Sequence, residues 1–305
     1  MRRRAVSDAR SHSTRLASPR RPARRRQQFF ERIPLGEFLY TKTEKNFLAG
    51  PGLQWTKEYP WAPAYICVAY LALVFGGQRV MRDRKPFKLV NTLALWNFSL
   101  SLFSFLGASR TVPHLVHNIM SRPFDSTICT VAAEDWGDGA TGLWVQLFIF
   151  SKVPELVDTA FIVLRKKPLI FLHWYHHVTV LLYCFHAYKT EAPQALYFVA
   201  MNYTVHAVMY GYYCLMALRM KPKWLPPIVI TFMQLSQMVV GVGVQIASMI
   251  KHAYSPSCPT NFENIVAGGV MYASYFALFF KFLVERFFLT PPRQARNETA
   301  AKKLE

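Results

Sequence analysis

Seven blocks of apolar sequence punctuate this chain, at 61–79, 90–119, 141–164, 169–187, 195–218, 227–250 and 263–284. A run of roughly 20 apolar residues crosses the roughly 30 Å of a bilayer's hydrocarbon core as one α-helix. Lipid offers no hydrogen-bond partner to a peptide group, so only helices and closed barrels span it. Blocks this long exclude barrel strands, which need about half that length. The reading is therefore an all-α, polytopic membrane protein with seven transmembrane helices, the second block being interrupted at Pro113. Composition agrees: 52% of residues are hydrophobic and 17% charged, against about 25% charged in ordinary soluble domains. No soluble domain and no repeat stands out.

Charge supplies an orientation. Loops 80–89, 165–168 and 219–226 carry Arg82, Arg84, Lys85 and Lys88, then Arg165, Lys166 and Lys167, then Arg219, Lys221 and Lys223. The tail adds Arg286, Arg293, Arg296, Lys302 and Lys303, whereas the alternate loops hold one base each: Arg122, Lys189 and Lys251. The positive-inside rule places the C-terminus in the cytosol and the N-terminus on the far side. The first 32 residues argue the other way, with eleven Arg against Asp8 and Glu31, but they lie far from the first span. Their Arg, Ser and Pro content reads as a disordered extension. A nucleic-acid-binding arm is not favoured ahead of seven spans. The division that follows is an extension over 1–32, a pre-membrane segment over 33–60, a membrane domain over 61–287 and a cytosolic tail over 288–305. Lys302 and Lys303 lie three and two places from Glu305, which reads as a dilysine retrieval signal for the endoplasmic reticulum.

Cys67, Cys184 and Cys214 fall inside spans and read as packing residues. Cys129 and Cys258 fall in two non-cytosolic loops; a disulfide is one reading, two free thiols the other. The sequons at Asn97 and Asn202 fall in spans and that at Asn297 in the cytosolic tail. None of the three is expected to carry sugar.

The polar residues inside the spans are few and clustered. The fourth block reads LIFLHWYHHVTVLLYCFHA and holds His173, His176 and His177 at i, i+3, i+4 on one helix face. An ionisable residue in a span is a functional candidate by default. The third block holds Lys152, Glu155, Asp158 and Thr159; three charges there would cost about 8–10 kcal/mol if they faced lipid. Lys152 can pair with Glu155, and Glu155 with Thr159. A packing ion pair is the competing reading for the first two, although buried pairs stabilise weakly. The fifth block places Asn202, His206, Met209 and Tyr210 on one face, and the sixth Thr231, Gln234 and Gln237. Helical rise puts these groups at similar depths from the cytosolic side: His173 at about 6 Å, Asp158 9 Å, His176 and Gln234 10 Å, Glu155 13 Å and His206 18 Å. One shared chamber opening to the cytosol explains that agreement, and basic loops at its mouth suit an anionic headgroup.

Metal is one use for clustered histidines, and three of them with Glu155 or Asp158 remain a ligand set to consider. The intramembrane count is short of what di-iron membrane oxygenases use. Without metal, buried imidazoles serve as nucleophiles or general bases.

The segments KVPELVDT from Lys152, HWYHH from His173, NYTVHAVMY from Asn202 and TFMQLSQ from Thr231 resemble, in order and spacing, the fatty acid elongase (ELO) family over residues 60–290. The wording around them is most similar to the animal type 6 and type 3 branches. The resemblance implies six helices, spans 2–7, in a barrel around a substrate tunnel. It implies a very-long-chain 3-oxoacyl-CoA synthase of the endoplasmic reticulum that condenses acyl-CoA with malonyl-CoA, with saturated or monounsaturated primers. It also implies a lumenal disulfide at Cys129 and Cys258, and no metal or other cofactor. His176 would be the nucleophile, His206 the group opposite, and His173 and His177 its helpers. Lys152, Glu155, Asp158, Asn202, Tyr210, Gln234 and Gln237 would support the site. Partners would be the bilayer and the reductase, dehydratase and enoyl reductase that complete the cycle. Homo-oligomerisation stays open, and nucleic acid is not expected.

Overall fold

The computed structural model describes residues 39–289. The Arg-rich extension over 1–32, the Lys302–Lys303 signal and Asn297 lie outside them. Every regular element among the described residues is helical. α1 (Lys42–Lys45) and α2 (Gly50–Glu58) precede α3 (Ala62–Met81), α4 (Val90–Ser121) and the short α5 (Phe124–Cys129). Then come α6 (Gly139–Ser151), a 3-10 turn at Pro154–Leu156, α7 (Val157–Leu164), α8 (Phe171–Lys189), α9 (Ala195–Ala217), α10 (Pro227–Tyr254) and α11 (Phe262–Leu283). A π-helical turn, Val284–Leu289, extends α11.

Four of these are long and apolar enough to cross a membrane: α3, α4, α10 and α11 with its π turn. Their outward faces carry large apolar side chains in the open, among them Leu73, Leu95, Phe105, Val239 and Val270. A face of that kind requires an apolar surround. The other segments differ for physical reasons. α8 and α9 are buried over much of their length, and α8 is diluted by its histidines. The third block is one stretch in sequence but two helices in space. The chain leaves α6 at Ser151, turns at Lys152 and Val153, passes through the 3-10 turn Pro154–Leu156 and resumes as α7. Pro154 has no N–H for an α ladder, which favours the break there.

Pro113 does the opposite of what the sequence predicts. α4 runs through it without a stop, from Val90 to Ser121. Helices in apolar surroundings tolerate proline when neighbours hold the flanking turns. Here α4 packs along α9 more extensively than any other helix pair. Gly107 makes that approach close: a Cβ on it would sit 2.4 Å from the Tyr203 ring. Tyr203 is 1% exposed and packs on Phe103, Trp144 and Phe148. Neighbouring helices follow in the order α4, α9, α10, α11, α8, α6 and back to α4. α3 stands beside α7 and α8, joined through Tyr70, Val74, Met81, Val163 and Trp174.

Three consecutive helices end alike. After α7, α8 and α9 the chain takes a left-handed step at Lys166, Glu191 and Arg219, with φ of 51°, 52° and 63°. Each closes with a pair of backward bonds, such as Lys166 N–H to Val163 O and Lys167 N–H to Ile162 O. This is the Schellman pattern, built without the usual glycine.

The segment before α3 is bolted down. Thr41 and Glu44 form a capping box on α1. Glu44 also receives Arg110 Nε at 2.9 Å and Trp144 Nε1 at 2.8 Å, from α4 and α6. Burial raises its pKa, but these donors and the Thr41 N–H hold it below the usual carboxylate value. At the same end, Asp135 receives Asn118, Arg122 and His114 at 2.9, 3.1 and 3.3 Å. Burial again raises its pKa, while His114, Arg122 and Asn118 together bring it below the ordinary range. A disulfide joins Cys129 at the end of α5 to Cys258 between α10 and α11, with the Cα atoms 4.8 Å apart.

Candidate active site

The first two turns of α8 carry the three imidazoles on one face. The rings of His173 and His177 lie 4.5 Å apart and those of His176 and His177 5.6 Å apart. His177 is buried, whereas His173 and His176 are partly accessible. α11 supports this face: the Tyr275 ring lies 5.0 Å from His176, and its hydroxyl donates to the His176 carbonyl at 3.2 Å.

The 3-10 break supplies the second wall. Lys152 Nζ donates to both oxygens of Glu155, at 2.8 and 3.0 Å, and lies 4.0 Å from the Phe148 ring centre. Ser151 Oγ donates to the same carboxylate at 2.8 Å. Lys152 also reaches Asn202 Oδ1 at 3.4 Å, and Asn202 Nδ2 lies 3.2 Å from His206 Nε2. Because the amide oxygen faces the ammonium, its NH2 faces the ring. His206 Nε2 is then the acceptor and Nδ1 carries the proton. An unbroken polar chain thus runs Glu155–Lys152–Asn202–His206, and all four side chains are at most 9% exposed. His176 lies within electrostatic range of Lys152, Glu155 and His206. The α8 histidines and the α9 histidine therefore share one interior region.

Asp158 has other duties. It accepts from Tyr210 at 2.6 Å and from Trp96 Nε1 at 2.5 Å, which ties α7 to α9 and α4. Tyr210 in turn meets His206 edge-on at 5.3 Å. The pairing of Glu155 with Thr159 foreseen from their spacing is not made. Thr159 instead shares hydrogen bonds with His173 Nε2 at 2.9 Å and with Tyr70 at 2.8 Å. The change of helix type between residues 154 and 157 removes the i, i+4 geometry that pairing assumed. Thr231 and Gln237 are buried on α10, and Gln234 Nε2 lies 3.3 Å from Met209 Sδ. Lys281 lies 3.8 Å from Glu285 at the opposite end of α11 from Asn264.

Sequence reasoning missed Tyr70, Trp96 and Ser151. Each sits in an apolar run where its polar tip is indistinguishable from an interface anchor until its partner is known. Among the described residues, no group of three His, Cys, Asp or Glu side chains converges as a metal site would. What the region offers is imidazole nitrogens, a buried ammonium and directed hydroxyl and amide donors.

Comparison with known proteins follows the same residues. Residues 55–295 match the family described as ELO: GNS1/SUR4 family. The chain is similar to very long chain fatty acid elongase 6 of Drosophila melanogaster, 38% identical over 267 residues, which is 87% of this chain and 81% of that one. It is likewise similar to very long chain fatty acid elongase 6 of Gallus gallus, 39% identical over 80% of this chain and 91% of the relative. Very long chain fatty acid elongase 3 of Homo sapiens is 40% identical over 80% and 88%. With four-fifths of its length matched at this identity, the chain belongs to the ELO family, the GNS1/SUR4 family.

Proposed function

We propose that this protein is a very-long-chain 3-oxoacyl-CoA synthase, an acyltransferase that performs the first step of the fatty acid elongation cycle. The observation that carries the reading is His206, held in one tautomer by the Glu155–Lys152–Asn202 chain and within electrostatic range of His176 on α8. In this reading, seven spans cross the endoplasmic reticulum membrane with the C-terminus cytosolic and the N-terminus lumenal. The ring of α4, α9, α10, α11, α8 and α6 is a barrel around an acyl tunnel. The long-chain primer is saturated or monounsaturated.

The chemistry follows from the groups present. His176 attacks the thioester carbonyl of acyl-CoA, forming a C–N bond as the C–S bond breaks and CoA thiolate leaves. His206, across the chamber, handles the departing proton or donates to the carbonyl oxygen as it gains charge. Malonyl-CoA then loses CO2, and its carbanion attacks the acyl-imidazole. The C–N bond breaks, His176 is regenerated and 3-oxoacyl-CoA is released. No metal or redox cofactor enters this scheme. Later reduction and dehydration fall to the other enzymes of the cycle. Two extra methylenes contribute only about 1.6 kcal/mol by burial, so chain-length choice rests on steric closure of the tunnel.

The test is incorporation of labelled malonyl-CoA into 3-oxoacyl-CoA by purified protein, across primers of different length and unsaturation. Labelled acyl-CoA without malonyl-CoA should leave an acyl adduct on His176, detected by mass spectrometry, and His176→Ala should lose it. Absence of product with every primer refutes the synthase reading. Full turnover by His176→Ala refutes the nucleophile assignment.

A further inference from the structure

We infer that Tyr70, on the first apolar helix, is a positioning residue that fixes the tautomer of His173 through Thr159. The inference deepens the synthase reading and rests on it for its kinetic arm. α3 lies outside the ring of helices that encloses the histidines, and on packing alone it is an anchor. One hydroxyl changes that. Tyr70 is 5% exposed and its OH lies 2.8 Å from Thr159 Oγ1, which is 0% exposed and lies 2.9 Å from His173 Nε2.

Thr159, in the first turn of α7, differs from threonines deeper inside helices. Thr111, Thr179 and Thr204 each spend their proton on the carbonyl four residues back, at 2.8, 2.7 and 2.8 Å. Thr159 makes no such bond among the described residues. Its fourth predecessor, Glu155, sits in the 3-10 turn. The break at Pro154 therefore frees a hydroxyl that an unbroken helix would occupy.

Donor counting gives the direction. Tyr70 and Thr159 bring one hydroxyl proton each, and no carbonyl takes either among the described residues. If Tyr70 donates to Thr159, then Thr159 donates to His173 Nε2 and both protons are used. The reverse order leaves a buried tyrosine proton without an acceptor, which costs free energy. The chain therefore reads Tyr70 to Thr159 to Nε2, and His173 carries its proton on Nδ1. That proton sits on the ring nitrogen remote from Thr159, the one His173 has free to offer a ligand, and the His177 ring lies 4.5 Å away. A ring in the other tautomer would present a lone pair there and could not stabilise a developing oxyanion.

The experiment uses full-length protein in detergent and three variants: Y70F, T159V and T159S. Y70F and T159V should lower kcat for condensation about three- to tenfold, the range for losing one directing hydrogen bond. KM for both substrates should stay within about twofold, and thermal melting should show all variants folded. T159S, which keeps the hydroxyl, should restore kcat. A second readout needs no turnover. Carbethoxylation of His173 by diethyl pyrocarbonate, followed by mass spectrometry, should be about threefold faster in T159V, where Nε2 loses its donor. Normal kcat in Y70F, or T159S as slow as T159V, overturns the inference. So does equal labelling of His173 in wild type and T159V. If the wild type makes no product at all, the synthase reading falls while the labelling comparison still decides the wiring.

Discussion

Replacing Lys152 by methionine isolates the central polar chain. Methionine matches the length of the lysine stem and keeps its packing on Phe148, but removes the ammonium. The structure then leaves Glu155, 5% exposed, with the Ser151 hydroxyl as its remaining donor at 2.8 Å. Breaking a buried pair by deleting one partner costs about 3–5 kcal/mol, because the orphaned charge stays desolvated. For a domain of this size about 1 kcal/mol shifts the midpoint by about 2–4 °C, so Lys152→Met should melt about 6–20 °C lower. The double variant Lys152→Met, Glu155→Leu removes both charges and should recover most of that loss, since apolar replacements of buried pairs are commonly neutral or better. Activity should fail in both, because Asn202 loses the ammonium that orients its amide toward His206. The assays are thermal unfolding in detergent by tryptophan fluorescence and malonyl-CoA incorporation. A single variant melting like wild type, or a double variant melting below the single, would refute the reasoning. Retained turnover in the double variant would separate the ion pair from catalysis.

Other outcomes follow from the same structure. Cys258→Ser, or reductant acting on the wild type, should cost about 2–5 kcal/mol, since the bridge closes a very long loop; a shift on non-reducing gels and a lower melting midpoint check this. Glu44 and Asp135 are held below their usual pKa, so their stabilisation is full at neutral pH and disappears as the pH falls through the lowered values, beneath the ordinary carboxylate range; Glu44→Gln should flatten that acid limb in a melting-against-pH series. Gly107→Leu should prevent normal packing of α4 on α9 and abolish folded protein on gel filtration, because even a Cβ would press on the Tyr203 ring. Arg219→Gly should raise stability by about 0.5–1 kcal/mol, since it relieves a left-handed residue at a helix end; an unchanged or lower melting midpoint would count against the strain argument.

Much of this molecule is legible one block at a time. Helix positions follow from apolar run lengths, and the shared face of His173, His176 and His177 follows from their spacing alone. Two features are not local and resist such reading. The α6–α7 break lies inside a block long enough to read as one span, and its consequence, a threonine freed to reach His173, depends on a tyrosine 89 residues away. Likewise Asp158 shares a motif with Lys152 and Glu155, yet answers to Trp96 and Tyr210, which only packing reveals. Pro113 shows the converse: a breaker by rule is absorbed in a helix packed along a long neighbour and tied beyond the proline through His114 and Asn118.

The disulfide has a meaning in time as well as in space. Its two cysteines are separated by 129 residues, and nearly every residue of the proposed site, from Lys152 to Gln237, is synthesised between them. At ordinary elongation rates of about 5–20 residues per second, Cys129 waits about 6–26 s for its mate. Closure cannot precede delivery of the α10–α11 connection to the same side of the membrane as α5. The oxidised bridge therefore timestamps delivery of the segments from α6 through α10: a chain whose α10–α11 connection has not reached α5 keeps the thiol, and a quality-control system that senses it can tell that molecule from one further along.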